Sequence, residues 1–202
     1  QLVTLLLLAL YMGRLNGNLA AEKEEQILRD LMAVPDACQK IFDHVDDIKG
    51  LCDAFKTAED VFFIGRSMDY GLAMEGSLKL KEISYIHAES YAGGELKHGT
   101  LSLIEKGIPV IALATQKDVE EKMISNIKEV KARDAYVIGV VQEGDTEVGK
   151  TVDSLIHVPQ SDNFVVTIMA IIPLQMLAYY IAVSRGNDVD KPRNLAKSVT
   201  VE

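Results

Sequence analysis

Two carboxylates and a lysine share one face of a predicted helix, and a histidine follows them after a glycine turn. Glu75, Lys79 and Glu82 stand at i, i+4 and i+7, which places them on one stripe of an α-helix. The chain then passes through Gly93-Gly94 and reaches His98. A carboxylate and a histidine are the usual groups for moving protons near neutral pH. The plainer interpretation is a solvated helix face with one Glu–Lys pair, followed by a histidine that bonds to its own loop.

The opposite face of the same predicted helix is apolar. Ala73, Gly76, Leu80 and Ile83 fall there, and such a face packs well on a sheet. Gly76 has no side chain, so it would let the two backbones approach closely. We therefore expect the charged stripe to be held at the border of a packed core, where it could line a cleft.

Two other segments could contribute to a site. The loop GRSMDYG over 65–71 joins a predicted strand to a predicted helix, a position where backbone N–H groups can bind phosphate. It lacks the G-x-G-x-x-G pattern, so a tight turn is the default interpretation and a role for Ser67 is doubtful. Lys197 lies among apolar residues of the last segment. If that segment docks, desolvation would lower the pKa of the lysine and make it nucleophilic.

The elements that must position these residues alternate between helix and strand. The amino-terminal half has predicted helices over 1–14 and 20–33, and a third from about 36 to 57 that Pro35 opens. We expect helix 1–14 to be buried and to come from the middle of a longer protein. Further predicted helices cover 71–85, 117–132 and 163–184, and predicted strands cover 61–65, 86–91, 109–114, 135–141 and 155–158. This alternation predicts an α/β fold, a doubly wound five-stranded parallel sheet flanked by helices.

Composition narrows the class of function. The 202 residues are 48% hydrophobic and 25% charged, as in a globular protein, and the formal net charge is −9. That charge argues against nucleic acid as a main partner and provides no membrane-binding patch. Cys38 and Cys52 are far apart in the sequence and in no metal-binding spacing, which favours a reducing, cytoplasmic setting. The sequence contains no metal-ligand cluster, and we expect no cofactor.

Two long blocks resemble one known family. EGSLKLKEISYIHAESYAGGELKHG over 75–99 and DVDKPRNLAKSVTVE over 188–202 are similar to the isomerase region of the glutamine–fructose-6-phosphate aminotransferases (isomerising), also called glucosamine-6-phosphate synthases. The resemblance covers the whole chain. It implies a sugar isomerase (SIS) domain and an enzyme that makes glucosamine-6-phosphate from fructose-6-phosphate and glutamine.

The resemblance also implies roles for individual residues. Glu82 matches the carboxylate that moves a proton between C1 and C2 of the sugar, and His98 matches a ring-opening histidine supplied by the neighbouring subunit. Lys197 matches the lysine linked to imine formation at C2. Lys79 and Ala196, and more weakly Glu75, match substrate-binding positions.

The resemblance further implies how the chain is organised. Residues 1–48 would be a helical segment leading in from a missing first SIS domain, 49–186 a second SIS domain, and 187–202 a tail that closes the active site. The partners would be that first SIS domain and a glutaminase domain of the same full-length chain, together with a second subunit in a homodimer. Because the phosphate-binding serines belong to the first SIS domain, we expect no complete phosphate site in this chain. The alternatives are a deglycase or deaminase of phosphorylated amino sugars, and a sugar-phosphate sensing module of a regulator.

Overall fold

The protein is described here by a computed structural model over residues 1–195, which contains six α-helices and one five-stranded sheet in that range. The helices are α1 (Leu2–Leu15), α2 (Ala21–Asp43), α3 (Val45–Leu51), α4 (Met68–Ser84), α5 (Glu120–Lys131) and α6 (Asn163–Ser184). The strands are β1 (Asp60–Gly65), β2 (His87–Ala92), β3 (Pro109–Ala114), β4 (Tyr136–Gln142) and β5 (Ser154–Val158). A short 3₁₀ helix, Gly93–His98, follows β2.

The sheet is parallel throughout, with the strand order β2-β1-β3-β4-β5. Helices cover both faces of the sheet. Successive side chains of a strand point to opposite faces, so each strand contributes to both sides of the core. In β1, Val61 and Phe63 pack with α4 and α6 on one face, while Phe62 and Ile64 pack with α5 on the other. The predicted doubly wound, five-stranded α/β fold is confirmed.

Gly76 lies where α4 crosses the sheet, as the sequence predicts. A Cβ atom there would lie 2.9 Å from Cε1 of Phe63 in β1 and 3.0 Å from Cδ1 of Leu174 in α6. Its neighbours on the same face of α4, Ala73 and Leu80, are fully buried. The close approach leaves the Glu75–Lys79–Glu82 stripe on the outer side of α4.

The prediction that Pro35 opens a new helix is wrong. Pro35 lies inside α2, which continues to Asp43, and the chain breaks at His44 instead. Proline removes one backbone donor from a helix interior, a cost of about 3 kcal/mol. Contacts between α2 and α6 offset that cost, because residues on both sides of Pro35 pack against the core, among them Ile27 and Ile41.

The prediction that helix 1–14 is buried is also wrong for this chain. Only Leu10 of α1 is buried, while Leu5, Tyr11 and Leu15 are each at least 60% exposed. Apolar residues occur on all sides of α1, and its small contact with α2 and α6 can cover only one side. Within residues 1–195, its outer side is therefore an apolar surface that no other element covers.

Helix α6 is confirmed over its predicted range and runs through Pro173 without a break. It is long and apolar enough to cross a membrane, but 56% of its most apolar window is buried inside the protein. Buried residues of α6 contact α4 and the sheet, including Leu174 and Leu177. This packing is that of a core helix.

Candidate functional site

The charged stripe of α4 forms a connected group of side chains. The ammonium of Lys79 donates a hydrogen bond to Oε2 of Glu82 at 2.7 Å and lies 3.7 Å from Oε1 of Glu75. The side chains of Lys79 and Glu82 are 33% and 29% exposed, so the pair is half-buried and can still be reached from solvent. Lys79 therefore sits between the two carboxylates, at hydrogen-bond distance from Glu82.

The environment of Lys79 favours its charged form. Its hydrogen bond to Glu82 raises the pKa of Lys79 above the ordinary value, and partial burial offsets this only in part. A lysine that stays protonated is a poor nucleophile but a good fixed positive charge. In this arrangement Lys79 can stabilise negative charge that develops close to Glu82.

A cavity of about 580 Å³ opens beside the pair. Lys79 and Glu82 line one side of it, and the rest of the wall is mostly apolar and aromatic side chains, including Phe42 of α2 and Met176 and Tyr179 of α6. Its volume is in the range of small-molecule sites, and a few polar groups in an apolar wall are typical of them. A larger cavity of about 740 Å³ lies between α2, α3 and β5, but none of the predicted site residues within 1–195 lines it.

The pair and His98 lie at opposite ends of the sheet. In a parallel β–α–β unit the helix runs back along the strands, so α4 starts at the carboxyl end of β1 and ends where β2 begins. Glu82 is in the last turn of α4, whereas His98 follows the carboxyl end of β2. A strand of six residues separates these ends by about 20 Å. A single chain therefore does not bring its own Glu82 and His98 together.

His98 itself points to solvent. Its side chain is 75% exposed, and Nε2 lies 3.9 Å from a carboxylate oxygen of Glu95, beyond hydrogen-bond distance. It is the last residue of the 3₁₀ helix that follows β2. Because it is so exposed, His98 is accessible to a molecule outside its own chain.

The described part of the tail packs against the end of α4. The Nδ2 atom of Asn187 donates hydrogen bonds to the backbone oxygens of Ile83 and Ser84, at 3.2 and 3.0 Å. The backbone N–H of Arg193 donates to the hydroxyl of Tyr85 at 2.8 Å, and its guanidinium stacks on that ring at 4.1 Å. These contacts bring the tail to the end of the sheet where Glu82 lies. Ala196 and Lys197 fall outside the described residues, so their roles stay predictions.

At the other end of the sheet, the structure places a buried carboxylate that the sequence analysis missed. Asp69, 1% exposed, accepts hydrogen bonds from the backbone N–H groups of Thr115 and Gln116, at 2.7 and 3.3 Å. The hydroxyl of Thr115 donates to its second oxygen at 2.6 Å. Donors at the carboxyl ends of parallel strands are where such folds bind anionic ligands. Here these donors already hold an anion of the chain itself.

The GRSMDYG loop, which the sequence analysis considered as a phosphate site, lies at the same end of the sheet. Ser67 precedes α4 with φ 55°, and its side chain makes no capping hydrogen bond. The donors of the neighbouring loop after β3 are directed at Asp69 instead of an open pocket. The geometry favours the default interpretation of this loop as a tight turn.

Burial of Asp69 has a predictable effect on stability. Burial raises the pKa of Asp69 to about 6, because it outweighs the hydrogen bonds from Thr115 and Gln116, which lower it. The ordinary pKa of this carboxyl, which applies to the unfolded chain, is 3.8. At a pH between these two values the folded protein therefore holds a proton that the unfolded chain has released. Stability contributed by this proton is present below pH 4 and is lost as the pH rises to about 6. Asp69→Asn mimics the protonated form at every pH. We therefore expect its free energy of unfolding, relative to that of wild type, to rise by on the order of 3 kcal/mol as the pH increases from 4 to 7.

Urea unfolding of the two proteins at several pH values measures this difference. Asp36→Asn, which removes an exposed carboxylate from α2, is the control for loss of a charge. A difference in free energy of unfolding between Asp69→Asn and wild type that stays constant from pH 4 to 7 would contradict the prediction.

Comparisons with known proteins agree with this fold and extend it. The sequence profile of the SIS domain family matches residues 54–185. A glutamine–fructose-6-phosphate aminotransferase (isomerizing) of Caldanaerobacter subterraneus is 50% identical over all 202 residues, and a homologue from Clostridium perfringens is also 50% identical. The chain spans about one third of the length of each, 33%.

Two solved structures bear on the choice between the candidate functions. The C-terminal domain of the glucosamine–fructose-6-phosphate aminotransferase of Francisella tularensis matches with a TM-score of 0.87 at 33% identity, over 94% of this chain and 53% of that one. A glucosamine-6-phosphate deaminase of Thermotoga maritima matches with a TM-score of 0.62 at 25% identity, over 93% of this chain and 52% of that one. The profile match covers well over half of the chain, so the chain belongs to the SIS domain family.

Proposed function

We propose that this chain is the isomerase part of a glutamine–fructose-6-phosphate aminotransferase, which converts fructose-6-phosphate and glutamine-derived ammonia to glucosamine-6-phosphate. The observation that carries the proposal is the Lys79–Glu82 pair, 2.7 Å apart, in the wall of the 580 Å³ cavity. The similarity of the whole chain to aminotransferases of that name supports the choice of substrate. Isomerisation needs a base that reaches two adjacent carbons, and one carboxylate beside a fixed cation meets that need.

In the proposed reaction, ammonia replaces the C2 carbonyl oxygen of fructose-6-phosphate and water leaves. Glu82 takes a proton from C1 of the resulting imine, which gives an enolamine, and returns the proton to C2. The imine nitrogen gains the proton that the C1 hydroxyl gives up, so that C1 becomes an aldehyde and C2 carries the amino group. Lys79 stabilises negative charge at the reacting carbons, and Glu75, 3.7 Å from the same ammonium, helps to hold that lysine in place. Lys197 would assist imine formation at C2, and Ala196 would line the sugar site.

The rest of the site is proposed to come from outside the described chain. His98 opens the sugar ring in the site of a neighbouring subunit, a role supported by its exposure and its distance from its own Glu82. This makes the enzyme a homodimer. A first SIS domain holds the phosphate, since the donors at the carboxyl end of β3 already hold Asp69. A glutaminase domain supplies ammonia, and the enzyme is cytoplasmic, with no nucleic acid or membrane partner.

A direct assay tests the proposal. The full-length protein should form glucosamine-6-phosphate from fructose-6-phosphate and glutamine, while residues 1–202 alone, checked for folding by circular dichroism, should not do so with ammonia. The isolated chain lacks the phosphate-binding half of the site, so turnover should fall below detection. Measurable turnover by residues 1–202 alone would contradict the proposal that another domain holds the phosphate. A full-length protein that forms no glucosamine-6-phosphate would contradict the proposed function.

One alternative function has support from a specific comparison. The match to the Thermotoga maritima glucosamine-6-phosphate deaminase suggests the same proton transfer run in the opposite direction. A deaminase would release ammonia from glucosamine-6-phosphate and would not depend on glutamine. Incubation of the full-length protein with each substrate separates the two functions.

A further inference from the structure

The 3₁₀ helix that ends in His98 is unusually long for its type, and contacts from two other elements hold it. Runs of 3₁₀ helix beyond three or four residues are uncommon, because their hydrogen bonds are poor. Gly93–His98 covers six residues, and Leu96 within it is fully buried. Its conformation therefore depends on its surroundings more than on its own hydrogen bonds.

The first contact comes from the loop after β1 and from α5. The Nε atom of Arg66 donates a hydrogen bond to Oδ1 of Asn126 at 2.8 Å, and Asn126 is 95% buried. Gly93 rests directly on this bond, because a Cβ atom there would lie 2.5 Å from the same Oδ1 atom. A Cβ at Gly94 would lie 3.5 Å from the Arg66 guanidinium, in ordinary contact. The start of the 3₁₀ helix is thus seated on the Arg66–Asn126 pair.

The second contact comes from one turn further along α5. The ammonium of Lys97 lies 3.0 Å from Oε1 of Glu129, whose side chain is only 17% exposed. Nδ2 of Asn126 lies 3.5 Å from Oε2 of Glu129, so the same asparagine links both contacts. Lys97, the residue before His98, is therefore held by Glu129, which in turn contacts the asparagine beside Gly93. His98 itself stays exposed.

We propose that Arg66 and Asn126 are positioning residues that aim His98 at the sugar ring; this rests on the proposed function. Neither side chain touches the substrate. They fix the base of the 3₁₀ helix so that its last residue projects from the protomer in one direction. A misplacement of about 1 Å in a catalytic group can cost on the order of 100-fold in rate, so loosening the base should be measurable.

A substrate that has no ring separates positioning of His98 from a general structural effect. Fructose-6-phosphate closes its ring through the hydroxyl on C5, and the oxygen on C6 is already esterified. The 5-deoxy analogue of fructose-6-phosphate therefore stays open and does not need His98. In the full-length enzyme, Asn126→Ala should lower kcat/KM for fructose-6-phosphate by 10- to 100-fold and leave kcat/KM for the analogue within about twofold of wild type.

Three variants complete the design. His98→Ala should show the same selectivity with a larger loss, and Lys128→Ala, an exposed change on α5, should affect neither substrate. Arg66→Met removes the other side chain of the Arg66–Asn126 pair and replaces Asn126→Ala in the test if that variant does not fold. It should also lose activity on fructose-6-phosphate and keep activity on the analogue. Equal losses on both substrates, or no loss on either, would overturn the positioning role. A wild-type enzyme with no turnover of fructose-6-phosphate would overturn the proposed function, and the positioning role with it.

Discussion

Glu82→Gln in the full-length enzyme is expected to lower glucosamine-6-phosphate formation by about 1,000-fold, while glutamine hydrolysis stays within twofold of wild type. A carboxamide has nearly the same size as a carboxylate and can still accept a hydrogen bond from Lys79, but it cannot take up a proton. General acid–base groups contribute about 10²- to 10⁴-fold, which sets the expected loss. Assays of sugar product and of glutamate release on the same samples measure the two activities.

Glu75→Gln is the matched control for this prediction. Glu75 lies two turns before Glu82 on the same stripe and faces the same lysine, at 3.7 Å instead of 2.7 Å. The loss of its charge should lower product formation less than tenfold. The role of Glu82 would be contradicted by loss of both activities in Glu82→Gln, or by equal losses in the two variants.

Gly65→Ala is expected to be the most destabilising single-methyl change in the sheet, at about 3 kcal/mol or more. A Cβ atom at Gly65 would lie 2.5 Å from the backbone carbon of Asp69 and 2.7 Å from the backbone nitrogen of Tyr70, and would also clash with the backbone oxygen of Asp69. Overpacking against movable side chains costs about 1–3 kcal/mol, and here the obstacle is the backbone of the first turn of α4. Urea unfolding of the chain measures the loss.

Gly71→Ala, in the helix that Gly65 packs against, should give the opposite result. A Cβ atom at Gly71 would meet nothing within 4 Å, and alanine is favoured over glycine in a helix interior by up to about 1 kcal/mol. This variant should unfold at a slightly higher urea concentration than wild type. Two glycine-to-alanine changes six residues apart would thus move stability in opposite directions, and similar effects from both would contradict the tight packing at Gly65.

Much of the fold can be predicted from the sequence because its signals are local. The apolar run Pro109–Ala114 predicts β3 at its observed bounds, and the apolar faces of α4 predict its packing through Gly76. The helix break at Pro35 is predicted wrongly, since the proline rule describes an isolated helix and cannot include packing on α6. The burial of α1 is predicted wrongly for a related reason: composition shows that a face is apolar, but not what covers it.

The site is predicted less completely, because its contacts join distant parts of the chain. The spacing of Lys79 and Glu82 is local, and the structure places them 2.7 Å apart. Asp69 looks like an ordinary acidic residue in the first turn of a helix, and its donors come from a loop 46 residues later. The bond between Arg66 and Asn126 spans 60 residues. Pairings of this kind leave no periodic signal in the sequence.

The opposite placement of Glu82 and His98 has a genetic consequence under the proposed function. Each active site would combine the carboxylate of one subunit with the histidine of the other. Glu82→Gln and His98→Ala chains, each inactive alone, would complement each other when co-expressed, because a mixed dimer keeps one intact pair. A chain that carries both changes would instead disable both sites of any dimer it joins. Such an allele would be dominant-negative, because its product still binds the wild-type chain and inactivates the mixed dimer.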